Sequence, residues 1–250
     1  MIIKEFGKEN KKVIMLLHGG GLSWWSFESV ATLLKSEYHI VIPILNGHSD
    51  SDKSFTSIED NAEEIISFIK QNYGGKIFML AGLSLGGQIL LEILSNQPDI
   101  CSYAIVESSL VYPMKTTHKL IEPAYKLCYS LIKKRWFSKL QFNSLNIKKD
   151  LFEAYYTDTC KISKADLIAM LKSNSDYSLN YNIRNSNANV LVIVGDKERK
   201  IMINSAKKIH SCIPESELKI LKGYTHGELS INRAEEYVQI INDLSKKGEH

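Results

Sequence analysis

The chain has 250 residues, 44% of them apolar and 24% charged, and 31 Lys and Arg against 28 Asp and Glu leave a net charge of +3. This balance excludes a disordered chain, which would be poor in apolar residues and strongly charged. It also lacks the dense basic stripe of a nucleic-acid binder. The length suits one large domain or two small ones. The N-terminus has no apolar core of a secretory signal, and no stretch reaches the ~18 apolar residues of a membrane span. Cys101, Cys128, Cys160 and Cys212 form no CxxC pair, so neither a zinc site nor a thioredoxin-like motif is expected. So few cysteines suit a reducing compartment. The expectation is a soluble, cytoplasmic protein with no nucleic-acid partner and no stable membrane insertion; the oligomeric state is left open.

Short apolar runs recur along the chain. They are residues 13–17 (VIMLL), 39–45 (HIVIPIL), 77–81 (IFMLA), 103–106 (YAIV) and 190–194 (VLVIV), with a weaker one at 218–221. Apolar runs without alternation predict strands buried on both faces, as in a parallel sheet. Helical spacing fills the gaps at residues 57–73, 84–94, 205–212 and 234–244. Strands alternating with helices predict an α/β fold with right-handed crossovers. Ligands then bind at the carboxyl ends of the strands. The alternation lapses between residues 111 and 189, where helical patterns at 117–133, 148–156 and 164–172 predict a helical cap insertion over the strand ends. The expected organisation is a core of residues 1–110 and 190–250, interrupted by a cap of residues 111–189.

Three turns after strands carry the chemistry. Gly82-Leu83-Ser84-Leu85-Gly86-Gly87 follows an apolar run and opens a helical one. Gly-x-Ser-x-Gly in that setting is a nucleophile elbow, with Ser84 held strained at the head of a helix. His18-Gly19-Gly20-Gly21 ends the first run. A glycine turn there lets a backbone N–H approach a developing oxyanion. Gly20 is the expected donor, with Gly21 as the fallback, and Leu85 N–H is the second donor; His18 is expected to brace the loop. A serine hydroxyl needs a base. His226, in the loop after the weak last strand, is the best placed of the seven histidines. Three carboxylates follow strands and stand before His226 in the chain: Glu107, Asp196 and Glu198. Any of them could orient the imidazole.

These motifs resemble the α/β-hydrolase fold superfamily, in its single-domain esterase and haloperoxidase-like form. The resemblance covers the whole chain except the insertion. Residues 18–27 (HGGGLSWWSF) are similar to the family's oxyanion turn and first helix. Residues 43–51 (PILNGHSDS) are similar to its P-D-L-x-G-H-G-x-S turn, with Ile44 for the Asp and Ser49 for the second Gly; that loop is given no catalytic role. Gly195-Asp196-Lys197-Glu198 resembles the family's G-x-x-D, which favours Glu198 as the acid, with Asp196 and then Glu107 as alternatives. The family's proline beyond the acid is replaced by Lys200-Ile201-Met202. The resemblance implies a mostly parallel sheet and acyl transfer through Ser84, without metal or organic cofactor, on a small-molecule ester, thioester or related acyl substrate. The same fold also hosts C–C hydrolases, lyases, perhydrolases and slow-turnover ligand sensors.

Trp24 and Trp25 are candidates for the pocket mouth, with at least one of them expected to be structural, packed in the core or capping a helix. Tyr112, Tyr125, Tyr129, Trp136, Phe137, Tyr155 and Tyr156 of the insertion are expected mainly to pack its helices on the core. Lys133-Lys134-Arg135 reads as a solvated helix end, with attraction to an acidic substrate or an anionic membrane surface as the alternative.

Overall fold

The computed structural model describes residues 1–247. Seven strands form one sheet in the order β1-β3-β2-β4-β5-β6-β7. They are β1 (Ile3–Phe6), β2 (Val13–Leu17), β3 (His39–Pro43), β4 (Ile77–Leu83), β5 (Cys101–Glu107), β6 (Asn189–Gly195) and β7 (Glu217–Leu221). All neighbours are parallel except β1, which pairs antiparallel with β3 at the edge. Sequence patterning misses β1 because its four residues (IKEF) sit half-exposed at the sheet edge and form no apolar run.

The other strands lack alternation because both faces of the sheet are covered. Met15 and Leu17 of β2 face one apolar cluster, while Ile14 and Leu16 face another. The first cluster takes in α2 (Ile58–Tyr73), α3 (Leu85–Asn96) and α8 (Lys200–Cys212). The second takes in α1 (Glu28–Leu34), α9 (Glu228–Asn232) and α10 (Ala234–Lys247). Local signals set the helix ends. In α2, the Ser57 side chain accepts from Asp60 N–H, and Gly74 closes the helix at φ 65°, each a preferred cap chemistry.

Between β5 and β6 the chain is helical: α4 (Lys115–Ile132), α5 (Arg135–Ser144), α6 (Phe152–Lys161) and α7 (Lys164–Asp176). Sequence patterning overlooks α5, whose buried face offers only Ser138 and Phe142. These inserted helices are tied to the core by buried and half-buried polar contacts. The Asp158 carboxylate accepts from Trp25 Nε1 at 2.9 Å and from Ser49 Oγ at 2.7 Å. Asp166 accepts from Phe55 N–H at 2.8 Å. Trp25 is therefore a buried strut between core and insertion rather than part of a pocket mouth, and Trp24 lies beneath Lys4 Nζ.

Asp158→Ala removes the acceptor from a buried indole N–H. Such an orphan costs about 1–3 kcal/mol, which in a chain of this size lowers the melting temperature by roughly 2–12 °C. Thermal unfolding of the variant checks this, and adding Trp25→Phe should cost less in the variant than in the parent chain.

Candidate active site

The elbow forms where β4 runs into α3, and crowding explains its glycines. A Cβ on Gly82 would lie 2.4 Å from Gly86 O, and one on Gly86 would lie 2.1 Å from Leu17 O. One on Gly87 would meet Ser109 Oγ at 1.9 Å. Only hydrogen fits at these positions, so α3 packs directly on the strand ends. Ser84 is left at φ 53° and ψ −112°, a strained conformation for a residue with a side chain. Three hydrogen bonds hold it there. Ser84 N–H donates to Glu107 O at 2.9 Å, Gln88 N–H to Ser84 O at 3.0 Å, and Ser109 Oγ to Ser84 O at 3.2 Å.

The glycine turn after β2 faces the elbow, and Gly20 packs against the Leu85 side chain. His18 and His48 brace this turn from behind, with their rings 4.8 Å apart and edge to face. His18 Nδ1 donates to Gly19 O at 3.0 Å, and its Nε2 accepts from Leu45 N–H at 3.2 Å. His48 Nδ1 donates to Asn46 O at 3.1 Å, and its Nε2 accepts from Gly21 N–H at 3.1 Å. One donor and one acceptor per ring is the neutral imidazole. Burial, the main cause, pushes His18 down to about 3 and His48 down to about 4. The bond to His48 occupies the Gly21 N–H, whereas the Gly20 N–H has no acceptor among the described residues. The 43–51 loop thus contributes His48, a support for the glycine turn that the sequence reading did not assign.

His226 stands in the loop after β7. Its Nδ1 lies 2.8 Å from Glu198 Oε2. The other Glu198 oxygen accepts from Ser108 Oγ at 2.6 Å and from Gly195 N–H at 2.9 Å. Burial raises the Glu198 carboxyl, but the hydrogen bond and charge of His226, then the bonds from Ser108 and Gly195, outweigh it and hold it below the ordinary value. With Nδ1 donating to a carboxylate, His226 Nε2 is free to accept a proton. The histidine loop is shaped by Glu228, which accepts from Thr225 N–H at 3.0 Å and Thr225 Oγ1 at 2.9 Å. Ser84 and His226 line one small cavity together with Gly19, Gly20 and Gly227.

The other two carboxylates are engaged elsewhere. Asp196 accepts from Gly223 N–H at 2.7 Å and ties the end of β6 to the turn after β7. Glu107 is buried at the end of β5, where its Oε1 accepts from Ser230 N–H at 3.3 Å. Burial pushes its carboxyl up to about 7. His39, His118 and His210 are bonded to Glu5, Lys172 O and Ser216 respectively; His250 lies outside the described residues. Ser108 is a supporting residue that the sequence reading passed over. It sits at φ 51° beside the end of β6, and only strand adjacency brings it to Glu198.

A larger cavity of about 330 Å³ adjoins the first, sharing Gly20, Ser84 and Leu145 with it, beneath the inserted helices. Tyr125, Ile132, Tyr155, Met170 and Leu171 line it, with Gly20 and Leu85 at its floor. Of the insertion's aromatics, Tyr125 and Tyr155 thus face the cavity, whereas Trp136 is exposed.

The chain belongs to the alpha/beta hydrolase fold family, whose model matches residues 12–227. It is 24% identical over 254 residues to an uncharacterized hydrolase, YugF, of Bacillus subtilis, covering 96% of this chain and 90% of that one. Its fold is similar to that of an esterase from Exiguobacterium antarcticum, with a TM-score of 0.82 at 18% identity, covering 98% of this chain and 94% of that one. A bromoperoxidase from Bacillus anthracis superposes with the same TM-score at 16% identity and the same coverage.

Three buried groups contribute to the pH dependence of stability. His18 and His48 are depressed in the fold, so their contribution is present above the unfolded value near 6.5 and is lost as pH falls toward 4 and 3. At pH 5 each costs on the order of 2 kcal/mol. Glu107 is raised, so its contribution is present below the unfolded value of 4.5 and is lost as pH rises through 7. Denaturant titrations across pH should show His48→Gln flattening the acid limb and Glu107→Gln removing the loss of stability between pH 4.5 and 7.

Proposed function

We propose that the chain is a serine ester hydrolase in which Ser84 is the nucleophile, His226 the general base and Glu198 the acid that orients it. The observation that carries this reading is the 2.8 Å contact of His226 Nδ1 with a buried Glu198, with Ser84 strained on its elbow beside the same cavity. His226 Nε2 takes the proton from Ser84 Oγ as that oxygen attacks the ester carbonyl. The N–H groups of Gly20 and Leu85 receive the oxyanion. The alcohol departs with the proton from His226. Water, activated by the same imidazole, then releases the acid and regenerates Ser84.

The two cavities divide the substrate. A leaving oxygen must reach His226, so the cavity that includes His226 takes the alcohol. That space is about 80 Å³, room for roughly two or three non-hydrogen atoms at ~30 Å³ each. The 330 Å³ cavity lacks His226 and any charged side chain; it suits an uncharged acyl group of roughly ten non-hydrogen atoms. The substrate class is therefore a short-alcohol ester of a medium-length apolar acid.

A fluorophosphonate probe tests the nucleophile. Wild-type protein should label rapidly, and Ser84→Ala and His226→Ala should not; a folded wild-type protein that resists labelling would overturn the reading. Glu198→Gln should lower kcat by roughly 10³–10⁴-fold by analogy with other triads, whereas Glu107→Gln and Asp196→Asn should stay within about tenfold. Across a series of methyl esters followed by acid release, kcat/KM should peak at medium acyl length and fall when the alcohol is enlarged.

A further inference from the structure

Among the described residues, eleven large hydrophobic side chains are exposed, and five of them cluster between residues 120 and 140: Leu120, Leu127, Leu131, Trp136 and Leu140. Leu127 is 82% exposed and Trp136 62%. On α4, Leu120, Leu127 and Leu131 fall within about 40° of one another around the helix, away from the inward Ile121, Tyr125 and Ile132. On α5, Trp136 and Leu140 are one turn apart and opposite the buried Ser138 and Phe142. The charge is equally segregated. Residues 115–140 carry seven cations (Lys115, Lys119, Lys126, Lys133, Lys134, Arg135 and Lys139) against the single carboxylate Glu122, in a chain whose whole net charge is +3. Lys126 and Arg135 are paired with Glu122 and Glu153. Lys115, Lys119 and Lys134 make no ion pair among the described residues.

We infer that the outer face of α4 and α5 docks the protein on an anionic lipid surface. Exposed leucines and a tryptophan flanked by lysines are the chemistry of a helix lying in the headgroup region. Each lysine near such a surface contributes about 1 kcal/mol. No helix of the described residues is long or apolar enough to cross a membrane, so the attachment is peripheral. The inner faces of the same two helices line the 330 Å³ cavity through Tyr125, Ile132, Gln141 and Ser144. Docking by the outer face therefore places the cavity roof against the phase in which apolar acyl compounds reside. The basic run at 133–135 is thus part of a surface rather than a mere solvated helix end.

The test is co-sedimentation of the full chain with vesicles of phosphatidylcholine alone, or with roughly a third phosphatidylglycerol, at about 0.05 M and about 0.5 M salt. Binding should require the anionic lipid and weaken at high salt. Lys119→Ala, Lys134→Ala and Lys139→Ala should each weaken it roughly fivefold, and Leu127→Ser with Trp136→Ser at least tenfold. Ser84→Ala should bind as well as wild type, which separates docking from the hydrolytic reading. Circular dichroism of each variant verifies folding. Failure of the wild type to sediment with anionic vesicles, or binding that survives both sets of variants, would overturn the proposal. So would a stable dimer that Leu127→Ser converts to monomer, because the face would then belong to a second copy.

Discussion

Everything at the candidate site depends on how closely α3 approaches the ends of β2 and β4. Gly86 lets the helix rest on the carbonyl of Leu17, and Gly82 and Gly87 remove the remaining obstructions. The turn between strand and helix then has no room to relax, and Ser84 is held at φ 53°. The same approach brings Leu85, the first residue of the helix, against Gly20. Nucleophile and both oxyanion donors of the proposed mechanism are therefore consequences of one packing contact. A side chain larger than hydrogen at Gly86 would separate all three.

Burial does the electrostatic work around that contact. Two imidazoles behind the glycine turn are neutral because each is enclosed and bonded once as donor and once as acceptor. A charged pair 4.8 Å apart would repel and would present N–H to N–H. Three carboxylates at the strand ends are told apart by their neighbours alone. Glu198 receives donors at both oxygens and is ionised, Glu107 has only a long contact from Ser230 N–H and is raised, and Asp196 serves a turn. Residue type did not decide among them; the hydrogen-bond donors around each one did.

The inserted helices are built to a different rule from the core. The sheet is apolar on both faces and needs helices there. The insertion is apolar toward the cavity and apolar again at two outward stripes, with lysines between. It is fastened by specific bonds, among them those of Asp158 and Asp166, and by apolar side chains such as Phe142, Phe152, Tyr155 and Met170 that join the two core clusters. In the proposed mechanism that construction leaves acyl preference largely to side chains of the inserted helices, such as Tyr125, Ile132 and Leu171.

The apolar runs, the crossover helices and the elbow were legible in the sequence because each depends on neighbours a few residues away: strand burial on period, helix ends on caps, the elbow on its glycines. Ser84, His226 and the glycine turn follow from such local patterns. The partner of His226 was favoured as Glu198 only through the family resemblance, because Asp196 and Glu198 differ by two positions and Glu107 lies on another strand; which carboxylate reaches the imidazole depends on where three loops converge. The same holds for Ser108, for His48 behind Gly21 and for Trp25 on Asp158, contacts between residues 27 to 133 positions apart. The edge strand β1 and helix α5 escaped notice because each buries little. Local sequence determined which elements form, while long-range packing alone decided which polar groups meet, since a hydrogen bond requires contact that periodicity does not encode.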